Sequence, residues 1–499
     1  MEDSLKKRYL IKLVASIVAG LVNAVIVAIV PKSLGPLAYG QFTFLQQFFS
    51  QIIAFLDAGT SIAFFTKLSA QKNKDEIITY YFFFSLLLLL ILVSLVSIFD
   101  LLGIEEQVIG DIPVYYLYLG LWLGFFTWLT QIFIKISDAY ALTVSVEIMK
   151  VAHKLLALLA LLVLVYGFQL DLELFFNFNY FASVSFLILI SLIFIKKSVF
   201  SKSLCTLNVN FKALTVDFYR YASPIFIFNV VGVSVVLFDL WLVQSISGSV
   251  EMGFYGLAFS IAAMCSLFTT AMTPIIMREF SKLYSENNLE KMKELYARYV
   301  PMLYSVSAFF GVFIAFESEN IINIFTDARF EGALYALVVM SFYPLHQTYG
   351  QLTSSVFFAS GRTSLYRNIG LVVSLVGLVL SGVLVYNLEL GAFGFALKMV
   401  LIQILGVNVQ LFFNVKFLGL KIYPFIKHQI LAVLFFSIIA VSVKNLFVFE
   451  VSPLWEFLFS GLVYSFISLI GFLIFPSVFN VTRSEILSTY NKFKVYFKV

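Results

Sequence analysis

Gly35-Pro-Leu-Ala-Tyr-Gly40-Gln-Phe42-Thr-Phe44 returns 213 residues later as Gly248-Ser-Val-Glu-Met-Gly253-Phe-Tyr255-Gly-Leu257. Both stretches read glycine, four residues, glycine, any residue, an aromatic, any residue, an apolar residue. Each follows a long apolar run and opens another. Paired glycines at such a place let the chain turn tightly while the next helix starts at once. One constant offset predicts two related halves. A second, weaker echo sets Leu129-Thr130 through Ser137 against Leu352-Thr353 through Ser360.

The composition says what kind of helices these are. The 499 residues are 61% hydrophobic and 12% charged, whereas soluble chains carry about a quarter charged residues. The mean hydropathy is +0.97. Apolar runs recur from end to end, and about twenty such residues span a bilayer. Hydropathy and punctuation place fourteen spans near 10–30, 41–65, 77–101, 114–136, 145–166, 175–195, 223–246, 254–277, 300–316, 333–358, 367–387, 393–415, 429–449 and 455–476. The first run follows Lys6, Lys7 and Arg8; it is too long for a cleaved signal and lacks an A-x-A site, so it is expected to stay as the first span. With the N-terminus inside, 29 of the 33 lysines and arginines fall on cytoplasmic segments and adjoining helix ends, all but Lys32, Arg329, Lys398 and Lys444. The opposite loops carry acids, among them Glu105, Glu106, Asp171, Glu173, Asp327 and Glu331. This alternation predicts both termini in the cytoplasm. Residues 281–299 read as an amphipathic cytoplasmic helix lying on the headgroups. Cys205 and Cys265 have no spacing that suggests a disulfide or a zinc site.

The expected fold class is therefore an all-α polytopic membrane protein of about fourteen transmembrane helices. Two six-helix lobes form a parallel repeat, and two helices are appended. The expected domains are an N-lobe over 1–200, a cytoplasmic linker over 201–222, a C-lobe over 223–427, and a final pair of spans with a basic tail over 428–499. Between halves related in this way, transporters place their substrate sites.

The turn LGPLAYGQF, the stretch FLDAGTSIAF (residues 55–64), YASPIFIFNVVGVSVVLFDLWLV (221–243) and GFYGLAFSI (253–261) together resemble the polysaccharide-exporter branch of the multidrug/oligosaccharidyl-lipid/polysaccharide (MOP) superfamily. The resemblance spans nearly the whole chain in helix count, loop order and repeat, through a pattern of small residues. It implies translocation of undecaprenyl-pyrophosphate-linked oligosaccharide units for O-antigen, capsule or a related glycan across the bacterial inner membrane. It also implies two lobes around a central cavity, alternating access and coupling to an H+ or Na+ gradient without a bound cofactor. The partners it implies are the lipid-linked oligosaccharide, membrane lipids, a glycan polymerase and chain-length proteins. No nucleic-acid partner and no enzymatic activity are expected.

A phosphate- and sugar-bearing headgroup needs polar groups inside the spans, where ionisable residues are costly and mark function by default. On span one Lys12, Ser16, Gly20 and Asn23 share a face; Lys12 and Asn23 are candidate substrate contacts, and packing with a snorkelling lysine is the other reading. On span two Gln51 is a candidate contact and Asp57 a coupling acid, with a structural role open for both. Asn229, Gly232, Val236 and Asp239 share a face of span seven. Asp239 is either an ion-coupling acid or a hydrogen-bonded structural one. Span ten carries Pro344, His346, Gln347 and Gln351; the proline frees backbone carbonyls, and the imidazole and amides offer partners to sugar hydroxyls. Lys398 is a candidate phosphate contact or a snorkelling cation. Arg362 and Arg367 either greet the pyrophosphate at the cytoplasmic entrance or only satisfy the inside-positive bias. Asp138 and Glu147 have Lys135, Lys150 and Lys154 near enough for ion pairs.

The alternatives differ at specific residues. A drug or cation antiporter of the same superfamily calls for carboxylates in the first-half cavity, and the first span has none. A lipid II flippase calls for an arginine-rich cavity, and here that helix offers Asn23. A membrane glycosyltransferase or polymerase would use a metal-binding pair such as Asp171 and Glu173, but no outer loop is long enough to build an acceptor site. Gly40 is followed by Gln41 and Phe42, so the glycine turn is not a phosphate loop. Reporter fusions at Lys72, Lys202 and Lys291 should read as cytoplasmic, and fusions at Glu106 and Asp327 as external. One reversed site breaks the fourteen-span map.

Overall fold

The structure, a computed structural model, describes residues 5–70, 74–103, 109–200, 209–446 and 452–483. Cys205, Glu105, Glu106, Lys72, Lys202, the start of the expected linker and the basic tail after Arg483 lie outside the described residues. The described chain is helical with no strand. In order come α1 (Leu5–Asp57), α2 (Thr60–Ala70), α3 (Lys74–Leu102), α4 (Val114–Ala139), α5 (Thr143–Gly167), α6 (Leu172–Lys196) and α7 (Phe211–Leu242). A π-helical turn, Val243–Ser247, leads into α8 (Gly248–Met264), α9 (Leu267–Ser285), α10 (Leu289–Phe316) and α11 (Ser318–Phe325). Then follow α12 (Leu334–Met340), α13 (Tyr343–Ala359), α14 (Thr363–Ser381), a second π-helical turn (Gly382–Asn387), α15 (Gly391–Phe417), α16 (Tyr423–Leu446) and α17 (Pro453–Ile474).

Among the described residues, eleven helical stretches are long and apolar enough to cross a membrane, and this is a multi-pass membrane protein. Two of them, Ile17–Asp57 and Val230–Met264, run to 41 and 35 residues. At about 1.5 Å per residue both exceed a ~30 Å hydrocarbon layer. Each is two expected spans joined at the repeated glycine. Gly35 has φ 78° and ψ 168°, and Gly248 has φ 84° and ψ 175°. Both lie in a region that only glycine adopts without strain. Expected span ten also falls in two pieces, because α12 stops at Met340 and Pro344 sits in the first turn of α13. Proline has no N–H to give an internal turn and is suited to a helix start.

The chain gathers into two compact units, Met1–Gly256 with Ser381–Gly391, and Leu257–Leu380 with Ala392–Val499. In the first unit, α1 packs on α4, α5 and α7, and α4 packs on α6. The two copies of the glycine motif meet inside this unit. A Cβ on Gly40 would collide with the Ser249 carbonyl, and one on Gly253 with the Pro36 carbonyl. In the 213-residue register Ser249 is the counterpart of Pro36, and Gly253 of Gly40. Each copy therefore offers the other the same pair of residues, the reciprocity that a two-fold relation imposes. Ser249 is also tied sideways. Its hydroxyl donates to Asp111 Oδ1 at 2.7 Å, and the Gln244 amide donates to Asp111 Oδ1 and Ser249 Oγ, each at 2.8 Å.

The repeat shows again in the helix ends. After α4, Ala141 is left-handed and the Leu142 N–H donates to the Ser137 carbonyl at 2.8 Å; after α13, Gly361 is left-handed and the Arg362 N–H donates to the Phe357 carbonyl at 2.9 Å. Ser198 with Val199 N–H to Phe194, and Gly419 with Leu420 N–H to Val415, repeat the device after α6 and α15. All four are six-to-one Schellman closures, at offsets of 220 and 221. The echo seen in sequence is thus three residues out of register: Ser137 matches Phe357, not Ser360.

In the second unit α10 packs on α13 and α16, α9 on α13, and α17 on α11 and α16. Tyr296, Tyr304, Tyr349, Leu411, Phe436 and Tyr464 are buried at its centre. The expected surface helix over 281–299 does not form as one piece. Asn287 is left-handed, and the Asn288 side chain accepts the Lys291 N–H at 3.1 Å to cap α10, so 281–285 ends one helix and 289–299 begins the next. Met292 and Tyr296 then face the core instead of headgroups.

Gly40→Ala and Gly253→Ala should each destabilise the protein by about 1–3 kcal/mol through overpacking. Gly232→Ala, where a Cβ meets nothing within 4 Å, should be neutral or stabilising by up to ~1 kcal/mol. Thermal unfolding in detergent checks the ordering; equal effects at all three positions would contradict it.

Candidate functional site

Three polar groupings interrupt the apolar helices, one an open cavity in the first unit, one beside its π-helical turns, and one in the second unit. The first is a cavity of about 410 Å³ between α1, α2 and α4, lined by Gln46, Gln47, Ser50, Gln51, Asp57, Ser61, Thr127, Trp128 and Gln131, with Gly124 and two aliphatic side chains. Helical spacing makes it: Gln46 with Ser50, Gln47 with Gln51, and Thr127 with Gln131 are i,i+4 pairs. Asp57 ends α1 and holds the start of α2. Its Oδ1 accepts the Thr60 hydroxyl at 2.9 Å, the Ser61 N–H at 3.1 Å and the Tyr81 hydroxyl at 3.0 Å. A carboxylate at a helix N-terminus also meets the positive end of its dipole.

The second grouping centres on Asp239, 3% exposed, whose Oδ1 accepts the Ser381 hydroxyl at 2.6 Å. Ser381 directly precedes the π-helical turn Gly382–Asn387, and Asp239 lies one turn before the other, Val243–Ser247; the two turns touch. Such turns are rare and concentrate at functional sites. The side chain of Asn229 lies outside the described residues; Gly232 has open space around it, and Val236 is exposed.

In the second unit, His346 is buried with its ring 5.6 Å from that of Tyr304, and its Nδ1 has no hydrogen-bond partner among the described residues. Gln347 accepts from Gln403 at 3.1 Å, and Gln351 accepts from Thr273 at 3.1 Å. Lys398 is 4% exposed; its stem passes Gly377 and its ammonium lies 5.5 Å from the centre of the Phe395 ring. It therefore does not snorkel. Arg362 is half-buried, donates to Asn414 at 2.8 Å and Ser360 at 3.0 Å, and stacks 3.8 Å over Phe417. Arg367 is exposed and donates to Asn368.

The structure thus brings Gln51 and Asp57 to one cavity and gathers His346, Gln347, Gln351, Lys398 and Arg362 into the second unit. Asn23 is exposed on α1, while Gly20 on the same helix is buried. The side chains of Lys12 and Ser16 lie outside the described residues. Gln46, Ser50, Thr127, Trp128 and Gln131 escaped the reading of single stripes; polar i,i+4 pairs inside apolar runs were the signal. The Asp171/Glu173 pair serves the fold, since Asp171 accepts the Leu174 N–H at 2.8 Å as the cap of α6 and Glu173 accepts the Tyr115 hydroxyl at 3.1 Å. Asp138 accepts from Thr143 at 2.8 Å, and buried Glu147 pairs with Lys150 at 3.3 Å.

No family model and no curated protein matches the sequence. Solved structures do. A lipid II flippase, MurJ, in an inward closed conformation superposes with a TM-score of 0.69 at 17% identity, covering 93% of this chain and 98% of its own. The chain shares the fold of that structure. An inward-facing multidrug resistance MATE transporter of the MOP superfamily matches with a TM-score of 0.62 at 16% identity, over 81% of this chain and 94% of its own. A MOP transporter from Pyrococcus furiosus matches with 0.55 at 15%, over 84% and 97%. These MOP-fold neighbours are transporters and flippases. Tyr81→Phe should cost roughly 1–3 kcal/mol, the value of a buried hydrogen bond to a charged group, read as a lower unfolding temperature in detergent. An unchanged unfolding temperature would show that Asp57 does not depend on that hydroxyl.

Proposed function

We infer that this protein is a flippase for a polyprenyl-pyrophosphate-linked saccharide, carrying an undecaprenyl-pyrophosphate-linked oligosaccharide repeat unit across the cytoplasmic membrane by alternating access. The observation that carries this reading is the extent of the structural likeness. The lipid II flippase covers 93% of the chain and the multidrug transporter 81%. The likeness to the lipid II flippase therefore takes in more of the chain than the likeness to the drug transporter. Lipid II itself is the second reading, favoured by the same superposition, and differs in the headgroup carried on the polyprenyl pyrophosphate.

In this reading Asp239 is the acid that couples transport to an H+ or Na+ gradient. Its carboxylate is buried beside two π-helical turns, where a change of charge is expensive and local helix geometry has room to respond. Asp57 is the second coupling acid, with one oxygen committed to α2. Lys398 and Arg362 are the cations for the pyrophosphate, with Lys12 and Arg367 nearer the predicted cytoplasmic face; Asn23, Gln51, His346, Gln347 and Gln351 serve the saccharide. A glycan polymerase and chain-length proteins are the partners that would use the exported unit.

Removing the protein should leave lipid-linked repeat units on the cytoplasmic leaflet, and their accumulation already outside would point to a polymerase instead. Accumulation of lipid II selects the second reading. Asp239→Asn should lower transport at normal expression; full glycan export by this variant would remove the coupling role.

A further inference from the structure

The cavity of the first unit carries a chemical statement of its own. Gln46, Gln47, Gln51 and Gln131 line it, and no described residue forms a hydrogen bond with any of the four side-chain amides. Three donors crowd Asp57 Oδ1, and none among the described residues reaches Oδ2. The Trp128 indole N–H is buried with no acceptor. Gln46 and Gln131 are exposed and Gln47 and Gln51 half-buried, so the four amides face an open space. With the free carboxylate oxygen and the buried indole N–H, whose lack of a partner is costly, they form a polar lining that an occupant can complete. At about 410 Å³ the space lies within the ~300–1,000 Å³ range of small-molecule sites.

The donor set selects among occupants. Each amide offers both donors and an acceptor, and each sugar hydroxyl uses one of each, so glutamines and hydroxyls satisfy one another in full. A phosphate only accepts, and the one charged group lining the cavity, Asp57, repels it. Lys135, a turn beyond Gln131, is close enough to interact with Asp57 but does not line the space. A lipophilic cation would pair with Asp57 and leave the amides idle. We propose that this cavity is a subsite for an uncharged saccharide residue of the cargo, and that the pyrophosphate is held elsewhere. The proposal rests on the flippase reading and adds where the sugar sits and what it lacks: a negative charge.

The test uses the full-length protein in nanodiscs, with Trp122, Trp241 and Trp455 replaced by phenylalanine so that Trp128 alone reports. Titration with methyl β-D-glucopyranoside or N-acetyl-D-glucosamine should change Trp128 emission saturably. Inorganic pyrophosphate and tetraphenylphosphonium should leave it unchanged. Gln131→Ala, at an exposed position, and Gln51→Ala should each weaken the saccharide response roughly ten-fold, the loss of one or two hydrogen bonds. No saturable response to either saccharide, or a response to pyrophosphate or the phosphonium cation, overturns the proposal. Flipping of a saccharide-bearing polyprenyl pyrophosphate in proteoliposomes separates the two claims: wild-type rates in both glutamine variants remove the subsite and leave the flippase standing, whereas no flipping by the unaltered protein removes the flippase.

Discussion

Two glycines without side chains hold the first unit together. Gly40 and Gly253 let two helices approach until backbone touches backbone, and each glycine rests on the residue matching the other's neighbour, Ser249 and Pro36. Between membrane helices there is little hydrophobic drive, since lipid is as apolar as leucine; close packing of small residues supplies the attraction. Several polar groups of the unit connect to that contact. Ser249 links it to Asp111 and Gln244, the π-helical turn before Gly248 leads to Asp239, and α1 continues from Gly40 to the glutamines and Asp57.

The repeat was legible in sequence because a fixed offset exposes the glycine pairs, which were read as turns; that the two copies pack on each other came only from the structure. The spans were legible because twenty apolar residues have few other uses. Less could be read where one residue's environment decides. The segment 281–299 has an amphipathic pattern, but Asn287 and Asn288 break it, and whether Met292 and Tyr296 meet lipid headgroups or α13 and α16 is settled by tertiary packing. Lys398 could not be placed from its position in span twelve, since a lysine stem reaches inward as readily as outward. The register of the weaker echo was missed because hydroxyl and leucine positions drift, whereas the left-handed residue that closes each turn does not have to be glycine: Ala141 and Ser198 do the work of Gly361 and Gly419.

The glutamines of the first unit's cavity and those of the second unit are treated in opposite ways. In the second unit the amides of Gln347, Gln351, Gln403 and Gln410 are bonded to protein, and the Arg362 guanidinium is fixed by Asn414 and Phe417. In the first, four amides and half a carboxylate are left to the cavity. A transporter needs both: committed networks that keep helices in register, and uncommitted ones that a cargo completes and then abandons. A group whose partners are all within the protein cannot exchange them cheaply, and on the proposed reading the idle amides are the ones a cargo would complete.

The reciprocal crossing also bears on how such chains diverge. A contact made by backbone atoms needs only that two positions stay bare, and it places almost no demand on the hundreds of side chains beyond being apolar and of suitable bulk. Two proteins can then keep one backbone while sharing 17% of their residues. In this architecture the positions that must stay bare constrain the sequence more than the side chains around them do.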